Sequence, residues 1–179
     1  GALPDIVQDQ MMRLLEQLGL ENVFVLPQVK FDDDVSIGAN THFICVQPFL
    51  GASYEEMVRR GAQPICANFP FGADGTTRWL WAIAERFDVS KAKFDKVVAA
   101  PKLRAEQAVA AVASDLRGKS VFFFPDSQLE IPLARFLATE CGMELTEVGS
   151  PFIHKALVYA DLADLPATTQ ISEGQDVDK

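Results

Sequence analysis

The sequence predicts an α/β protein in which layers of parallel strands are flanked by helices. Short apolar runs recur along the chain, and each is followed by a proline-containing turn and then by apolar residues at helical spacing. Residues 119–142 show this unit most clearly. Residues 120–124 are apolar on both faces, Pro125 ends the run, and Gly142 closes the helix that follows. A run that is apolar on both faces is typical of a strand in a parallel sheet covered on two sides.

Composition and charge restrict the function classes. The 179 residues are 49% hydrophobic, which is enough for a buried core, and 16 basic against 25 acidic residues give a formal net charge of -9. An acidic chain is a poor partner for a phosphate backbone, so we expect no nucleic-acid binding. No apolar run approaches the roughly 20 residues of a membrane helix, and the N-terminus shows no targeting signal. We therefore predict a cytoplasmic protein without a membrane span.

The first half of the chain follows the order of strand, turn and helix. Asp5 begins a helix that ends at Gly19, and residues 23–26, 42–47 and 64–67 are predicted strands. Capping residues predict the later helix starts: the pairs Ser53 and Glu56, and Ser127 and Glu130, each match a capping box, and Asp74 or Thr76 caps the helix between them.

Two polar loops in this half are not predicted to be sites. Residues 28–40 carry Asp32, Asp33 and Asp34, but the loop lacks the alternating oxygen donors and the glycine of a calcium loop, so a solvated surface is the better interpretation. Residues 72–75 are rich in glycine before a helix. Their spacing fits neither phosphate-binding fingerprint and they contain no lysine, which argues against nucleotide binding.

The second half begins after a long helical stretch. Residues 90–117 are rich in alanine and lysine, are predicted to be interrupted at Pro101, and resemble a connector whose charges form a solvated face. Residues 144–148 are a further strand, 155–165 a helix, and 168–179 a polar end without a predicted element. No strand precedes the first helix, and one βαβ unit cannot cover its own sheet, so we expect the fold to be incomplete at both ends.

The carboxyl ends of the predicted strands carry the candidate ligand-binding residues. In open α/β sheets ligands bind at that edge. Gln47, Pro48 and Phe49 follow one strand, an aromatic loop with Phe69 and Phe71 follows the next, and Ser127 and Gln128 follow a third. The three cysteines, Cys45, Cys66 and Cys141, are widely separated and show no CxxC spacing, so we predict that they are packing residues rather than a metal site or a disulfide framework.

Several segments together resemble a known family. In chain order, these segments are residues 3–5, 46–50, 69–72, 74–76, 118–120, 127–130, 133–137, 141–143 and 151–155. They are similar, in sequence and interval, to the N-subunit family of light-independent (dark-operative) protochlorophyllide reductases, relatives of nitrogenase component 1. The resemblance implies Rossmann-like domains, of which residues 1–89 would be the middle one, 90–118 a helical connector, and 119–179 the beginning of another.

The resemblance also implies an activity. Members reduce the C17=C18 double bond of ring D of protochlorophyllide to give chlorophyllide, with electrons that pass through a [4Fe-4S] cluster. The N subunit pairs with a homologous B subunit in an N2B2 heterotetramer, and an L-subunit dimer of the iron-protein type binds ATP and magnesium and supplies the electrons. The cluster cysteines of the family lie upstream of this segment, and its B subunit supplies the fourth ligand and the acidic proton donor, so the resemblance implies no metal ligand and no catalytic acid here.

What the segment would contribute is a wall of the tetrapyrrole cavity. The expected wall residues are Gln47, Pro48, Phe49, Phe69, Phe71, Ser127, Gln128 and Phe152. His154 can ligate magnesium or bond a propionate, but a local hydrogen bond is the simpler interpretation. Two alternatives stay open at this point: a chlorophyllide reductase of the same superfamily, and a scaffold or interface module without ligand contact.

Overall fold

The computed structural model describes residues 4–26 and 36–174. In these ranges helices and parallel strands alternate, which confirms the predicted α/β class. The elements are α1 (Asp5–Gln17), β1 (His42–Phe43), α2 (Gly51–Arg59), β2 (Gln63–Pro64), α3 (Gly72–Arg86), α4 (Lys91–Leu116), β3 (Ser120–Phe123), α5 (Glu130–Thr139), β4 (Glu144–Ser150), α6 (Lys155–Ala163) and β5 (Gln170–Glu173).

The strands form two parallel sheets. β1 pairs with β2, with Phe43 opposite Pro64. β3, β4 and β5 follow one another in the second sheet, and an irregularity between Val121 and Phe122 shifts the register of β3 against β4. We call the elements before α4 the first lobe and those after it the second lobe.

Two buried clusters hold the lobes. The first packs α1, α3 and α4 together and includes Leu18, Trp79, Ile83, Phe94 and Val98. Each fully buried side chain of this size contributes about 1.5–3 kcal/mol to stability. The amino-terminal part of α4 therefore packs on the first lobe.

The second buried cluster crosses between the lobes. Ile131 and Ala134 of α5, Val148 of β4 and Val158 of α6 surround Phe69, which comes from the loop after β2. A core shared in this way fixes the aromatic loop of the first lobe against the second lobe. The domain limits at 89 and 119 stay a prediction.

Several predicted elements differ from the structure. Residues 23–26 do not form a strand in the described ranges, and the loop at 28–40 lies largely outside them. The strands predicted at 42–47 and 64–67 pair over two residues each. The polar segment after residue 168 contains β5, which sequence composition does not reveal because Ile171 is its sole apolar residue.

The helix starts also differ from the capping predictions. α2 begins at Gly51 without a side-chain cap, and Glu56 bonds Arg59 and Arg60 instead of Ser53. α3 begins at Gly72, before Asp74 and Thr76. α5 begins at Glu130, whose carboxylate accepts from the Ser127 N–H as in a capping box, but the Ser127 hydroxyl accepts from the Leu129 N–H.

The predicted interruption at Pro101 is wrong, because α4 runs through it as one helix of 26 residues. Proline removes only one backbone donor, and packing against α3 outweighs that loss. The start of α4 agrees with the predicted stretch, because Ser90 caps the helix and its hydroxyl accepts from the Lys93 N–H. None of the helices in the described part of the chain is both long and apolar enough to cross a bilayer.

The prediction that residues 120–124 are covered on both faces is wrong for the described residues. β3 alternates, so that Val121 and Phe123 lie partly buried while Phe122 and Phe124 are 56% and 53% exposed. Helices α5 and α6 cover one face of the sheet. The opposite face of β3 is therefore an exposed aromatic surface.

Candidate functional site

The predicted site residues lie on four loops at strand ends. Residues 46–50 and 68–71 form what we call the first rim, and residues 125–128 and 151–154 form the second rim. The two rims meet where the backbone of Gly51 lies against the His154 ring, since a Cβ added at Gly51 would stand 2.7 Å from His154 Cδ2. The predicted strand-end loops are thus adjacent in the fold.

The residues of loop 46–50 are arranged as a partly open surface. Gln47 and Phe49 are partly exposed, whereas the Pro48 side chain is buried. Pro48 therefore supports the loop, and Gln47 and Phe49 are the side chains that a ligand can reach.

The aromatic loop after β2 has one buried and one partly exposed phenylalanine. Phe69 is 2% exposed and packs in the second cluster, so its ring is a core residue rather than an accessible wall. Phe71 packs on the same cluster from outside and keeps part of its surface exposed. Of the two expected wall residues, the structure leaves Phe71 accessible.

The turn after β3 is organised by a buried carboxylate. Glu130 Oε1 accepts hydrogen bonds from the N–H groups of Asp126 at 2.9 Å and Ser127 at 2.5 Å, and Ser127 Oγ lies 3.2 Å away. Glu130 Oε2 accepts from the Ser150 hydroxyl at 3.3 Å, which joins this turn to the end of β4. Burial opposes ionisation, but the hydrogen bonds from Ser127 and Asp126 outweigh it and lower the pKa of Glu130.

Gln128, at the tip of this turn, has a left-handed backbone with φ of 66°. This conformation costs free energy at a residue other than glycine. It persists at Gln128 because the Glu130 carboxylate closes the turn. The Gln128 side chain is partly exposed, and Ser127 is exposed. Both predicted polar residues therefore stand on a surface that a ligand can reach.

Aromatic rings line the contact between the rims. Phe152 is 55% exposed and meets the His154 ring with centroids 6.4 Å apart, and Tyr54 of α2 meets the same ring at 5.5 Å. His154 Nδ1 is buried without a hydrogen-bond partner among the described residues, so the predicted local hydrogen bond of that nitrogen is not seen. The junction is an apolar, aromatic surface with few polar atoms.

Sequence reasoning missed a buried ionic network behind the aromatic loop. Arg135 of α5 and Asp161 of α6 are both 0% exposed, and Arg135 Nε lies 2.8 Å from Asp161 Oδ1. Arg135 stands four residues after Ile131 and next to Ala134, on the apolar stripe of α5. A charged residue on such a stripe is the signal that could have found it.

The three cysteines lie in different environments. Burial raises the pKa of the Cys45 thiol to about 11, which disfavours the thiolate that metals require. Cys141 is buried as predicted, whereas Cys66 is exposed and so is not the packing residue that we expected. The described ranges bring together no group of three His, Cys, Asp or Glu side chains that could hold a metal ion. The described residues therefore offer no ligand set that fits an iron–sulfur cluster.

A separate cleft of about 530 Å³ opens between α4 and the start of α3, with Lys102, Glu106 and Glu140 on its walls. None of the predicted site residues lines it. The rims, in contrast, form an open surface.

Two buried carboxylates next to the rims are engaged in structural contacts. The Glu130 carboxylate at the rim accepts several hydrogen bonds, and the Asp161 carboxylate behind it pairs with Arg135. Burial raises the pKa of Asp161, while the Phe69 N–H and the Arg135 guanidinium oppose that rise. Both carboxylates are engaged in structure, so neither is free to act as an acid or base on a ligand.

Comparison with known proteins agrees with this architecture. A family model described as nitrogenase component 1 type oxidoreductase matches residues 8–179. Subunit N of light-independent protochlorophyllide reductase from Jannaschia sp. (strain CCS1) is 57% identical over 179 residues, and the proteins of the same name from Acidiphilium rubrum and Rubrivivax gelatinosus (strain NBRC 100245 / IL144) are 50% and 48% identical.

In each of these comparisons the match covers 100% of this chain and 42% of the relative. The chain therefore spans less than half the length of the curated relatives it matches. The family match extends over nearly all of the chain and includes both rims. The chain belongs to the nitrogenase component 1 type oxidoreductase family.

Proposed function

We propose that this chain is part of the N subunit of a light-independent protochlorophyllide reductase and forms one wall of its tetrapyrrole cavity. The observation that carries the proposal is the 57% identity, over the whole chain, to a protein with that name. This identity supports reduction of the C17=C18 bond of protochlorophyllide in the cytoplasm as the activity of the complete enzyme.

The surface chemistry of the rims supports the same role. A tetrapyrrole is a broad apolar disc with polar edges, and such ligands bind on aromatic and aliphatic surface with a few placed polar groups. Phe49, Phe71 and Phe152 supply accessible aromatic surface, and Gln47 and Gln128 supply amides. The rims thus offer both kinds of contact on adjacent loops.

The cluster, the proton donor and the electron supply of the enzyme are assigned to other polypeptide. The described part of this chain does not gather a ligand set for a cluster. As the family resemblance implies, we propose that the [4Fe-4S] cluster, the proton donor and the ATP-dependent electron supply reside in other parts of the enzyme, namely the upstream N-subunit domain, the B subunit and the L-subunit dimer. The residues of this chain bind and orient the pigment.

The test is made in the complete complex. Phe49→Ala should raise the dissociation constant of protochlorophyllide about tenfold, because truncation removes most of one aromatic contact. The measurement is an absorbance titration, with the cluster spectrum recorded in the same samples. Gln47→Ala should weaken binding less, since it removes one polar contact.

A distant exposed residue provides the control. Leu103→Ala, on the exposed side of α4, should leave both affinity and spectrum unchanged. Unchanged affinity for protochlorophyllide in Phe49→Ala and Gln47→Ala would contradict the cavity-wall assignment. Tighter binding and faster turnover of chlorophyllide than of protochlorophyllide by the unmodified complex would contradict the assigned substrate.

A further inference from the structure

The aromatic loop of the first lobe is held by side chains of the second lobe. Arg135 Nη2 donates to the Phe71 carbonyl at 2.8 Å and to the Phe69 carbonyl at 3.3 Å. Asp161 Oδ2 accepts from the Phe69 N–H at 2.9 Å, while Asp161 Oδ1 receives Arg135 Nε. One buried ion pair therefore bonds both sides of the Phe69 peptide backbone.

Glu140 extends this network to the start of α3. Its Oε2 accepts from the Ala73 N–H at 2.7 Å and the Asp74 N–H at 3.1 Å, and its Oε1 lies 3.4 Å from Arg135 Nη1. A carboxylate at this position satisfies amides that have no partner within their own helix, and it complements the helix dipole. The cap of α3 thus comes from the far end of α5 instead of from its own sequence.

Two glycines leave space for these side chains. A Cβ added at Gly75 would stand 2.1 Å from Arg135 Nη2, and one at Gly72 would stand 2.2 Å from Glu140 Oε1. Gly72 also has φ of +73°, which disfavours other residues. The loop backbone and the network therefore fit closely.

Together, three side chains of the second lobe bond five backbone groups of residues 69–74: the Phe69 N–H and carbonyl, the Phe71 carbonyl, and the Ala73 and Asp74 N–H groups. Buried ion pairs add little net stability compared with apolar packing, because desolvation offsets their attraction. Their directional bonds, in contrast, define a single geometry. What this network supplies is the placement of the aromatic loop.

We propose that Arg135, Asp161 and Glu140 are positioning residues, which set the place of Phe71 and hence the shape of the pigment site formed by the two rims. The inference rests on the proposed function, since it assumes that the rims bind protochlorophyllide. These three residues act through the loop and do not touch the pigment.

The decisive variants keep size and change bonding. In Glu140→Gln the amide oxygen still accepts from one or both N–H groups, but the amide nitrogen faces Arg135 Nη1, which loses its carboxylate partner while Asp161 still binds Nε. In Arg135→Lys the charge remains, but a lysine has no fork that reaches Asp161, Phe69 and Phe71 together. Because small displacements of a positioned group are costly, each variant should raise the protochlorophyllide dissociation constant of the complete complex about tenfold.

Two controls separate positioning from general destabilisation. Val98→Ala opens space in the first cluster, away from the loop, and should lower the melting temperature of the complex without changing the dissociation constant. Arg78→Lys alters the exposed ion pair of α3 with Asp164, which also joins the lobes, and should change neither quantity. A purely structural role of the network would instead make affinity follow melting temperature across all four variants.

The outcomes are distinguishable. If the unmodified complex does not bind protochlorophyllide, the proposed function fails and this inference falls with it. If the unmodified complex binds the pigment and Glu140→Gln binds it equally well, or if Val98→Ala weakens binding as much as Glu140→Gln does, only the positioning role is overturned. If Arg135→Lys fails to assemble, Glu140→Gln decides.

Discussion

At the scale of single residues, the Glu130 carboxylate makes more contacts than its capping-box motif predicts. The capping-box pattern correctly predicts that its side chain turns back to the Ser127 N–H. The structure adds the Asp126 N–H and the Ser150 hydroxyl, the latter from a strand 20 residues away. The same group therefore closes one strand-end turn and joins it to the next.

This arrangement predicts a pH dependence of stability. The pKa of Glu130 is lower in the folded protein than in the unfolded chain, where it is about 4.3. Its contribution to the free energy of unfolding is therefore fully present above that unfolded-state pKa. The contribution is lost as the pH falls towards the pKa of the folded state. We expect Glu130→Gln to lower the free energy of unfolding by about 2 kcal/mol at pH 7, and the difference from the unmodified protein to shrink below about pH 4. Urea unfolding, followed by tryptophan fluorescence, measures both quantities.

Two comparisons make that experiment specific. The pKa of Asp161 is raised in the folded protein, so its contribution to the free energy of unfolding falls as the pH rises. This contribution is the same in Glu130→Gln and in the unmodified protein, and it therefore cancels in the difference between them. Glu144→Gln changes an exposed glutamate at the start of β4 and should alter stability by less than about 0.5 kcal/mol. Equal stability of Glu130→Gln and the unmodified protein at pH 7 would contradict the prediction.

At the scale of elements, the helices could be predicted from sequence better than their ends. Apolar spacing locates every helix in the described ranges because burial of one face is a local pattern. The start of α3 is misplaced because Glu140, 66 residues beyond Asp74, supplies the cap. Strand β5 is missed because its pairing with β4, rather than its composition, makes it a strand.

Helix α4 carries the clearest prediction at this scale. Pro101 deprives the Val97 carbonyl of its helical donor, and proline in a helix interior is about 3 kcal/mol less favourable than alanine. Pro101→Ala should therefore raise the free energy of unfolding by about 2 kcal/mol, whereas Ala111→Gly, at an exposed position of the same helix, should lower it by about 1 kcal/mol. Thermal unfolding measures both. A loss of stability in Pro101→Ala would mean that packing of α4 against α3 needs the shape that proline gives.

At the scale of the whole molecule, the sequence predicts which loops meet but not what holds them. Strand ends of a parallel sheet lie at one edge, so adjacency of the loops containing Ser127 and Phe152 follows from strand order. Burial of Phe69 does not follow, because it depends on α5 and α6 closing over the loop. The local pattern can mark Arg135 as a charged residue on an apolar stripe, but it does not reveal its partners, which lie 64 and 66 residues earlier and 26 residues later.

The exposed face of β3 gives a prediction for the isolated chain. Phe122 and Phe124 project to the same side of an edge strand and stay more than half exposed. Aromatic surface on a strand edge promotes self-association, so the chain should associate at high concentration, and replacing both residues with serine should weaken that association by at least about tenfold. Leu103→Ser, which removes a similarly exposed residue from α4, should have little effect because it stands on a helix without free backbone groups. Light scattering over a concentration series distinguishes the two variants, and equal association of the double variant and the unmodified chain would show that this face is not the one that associates.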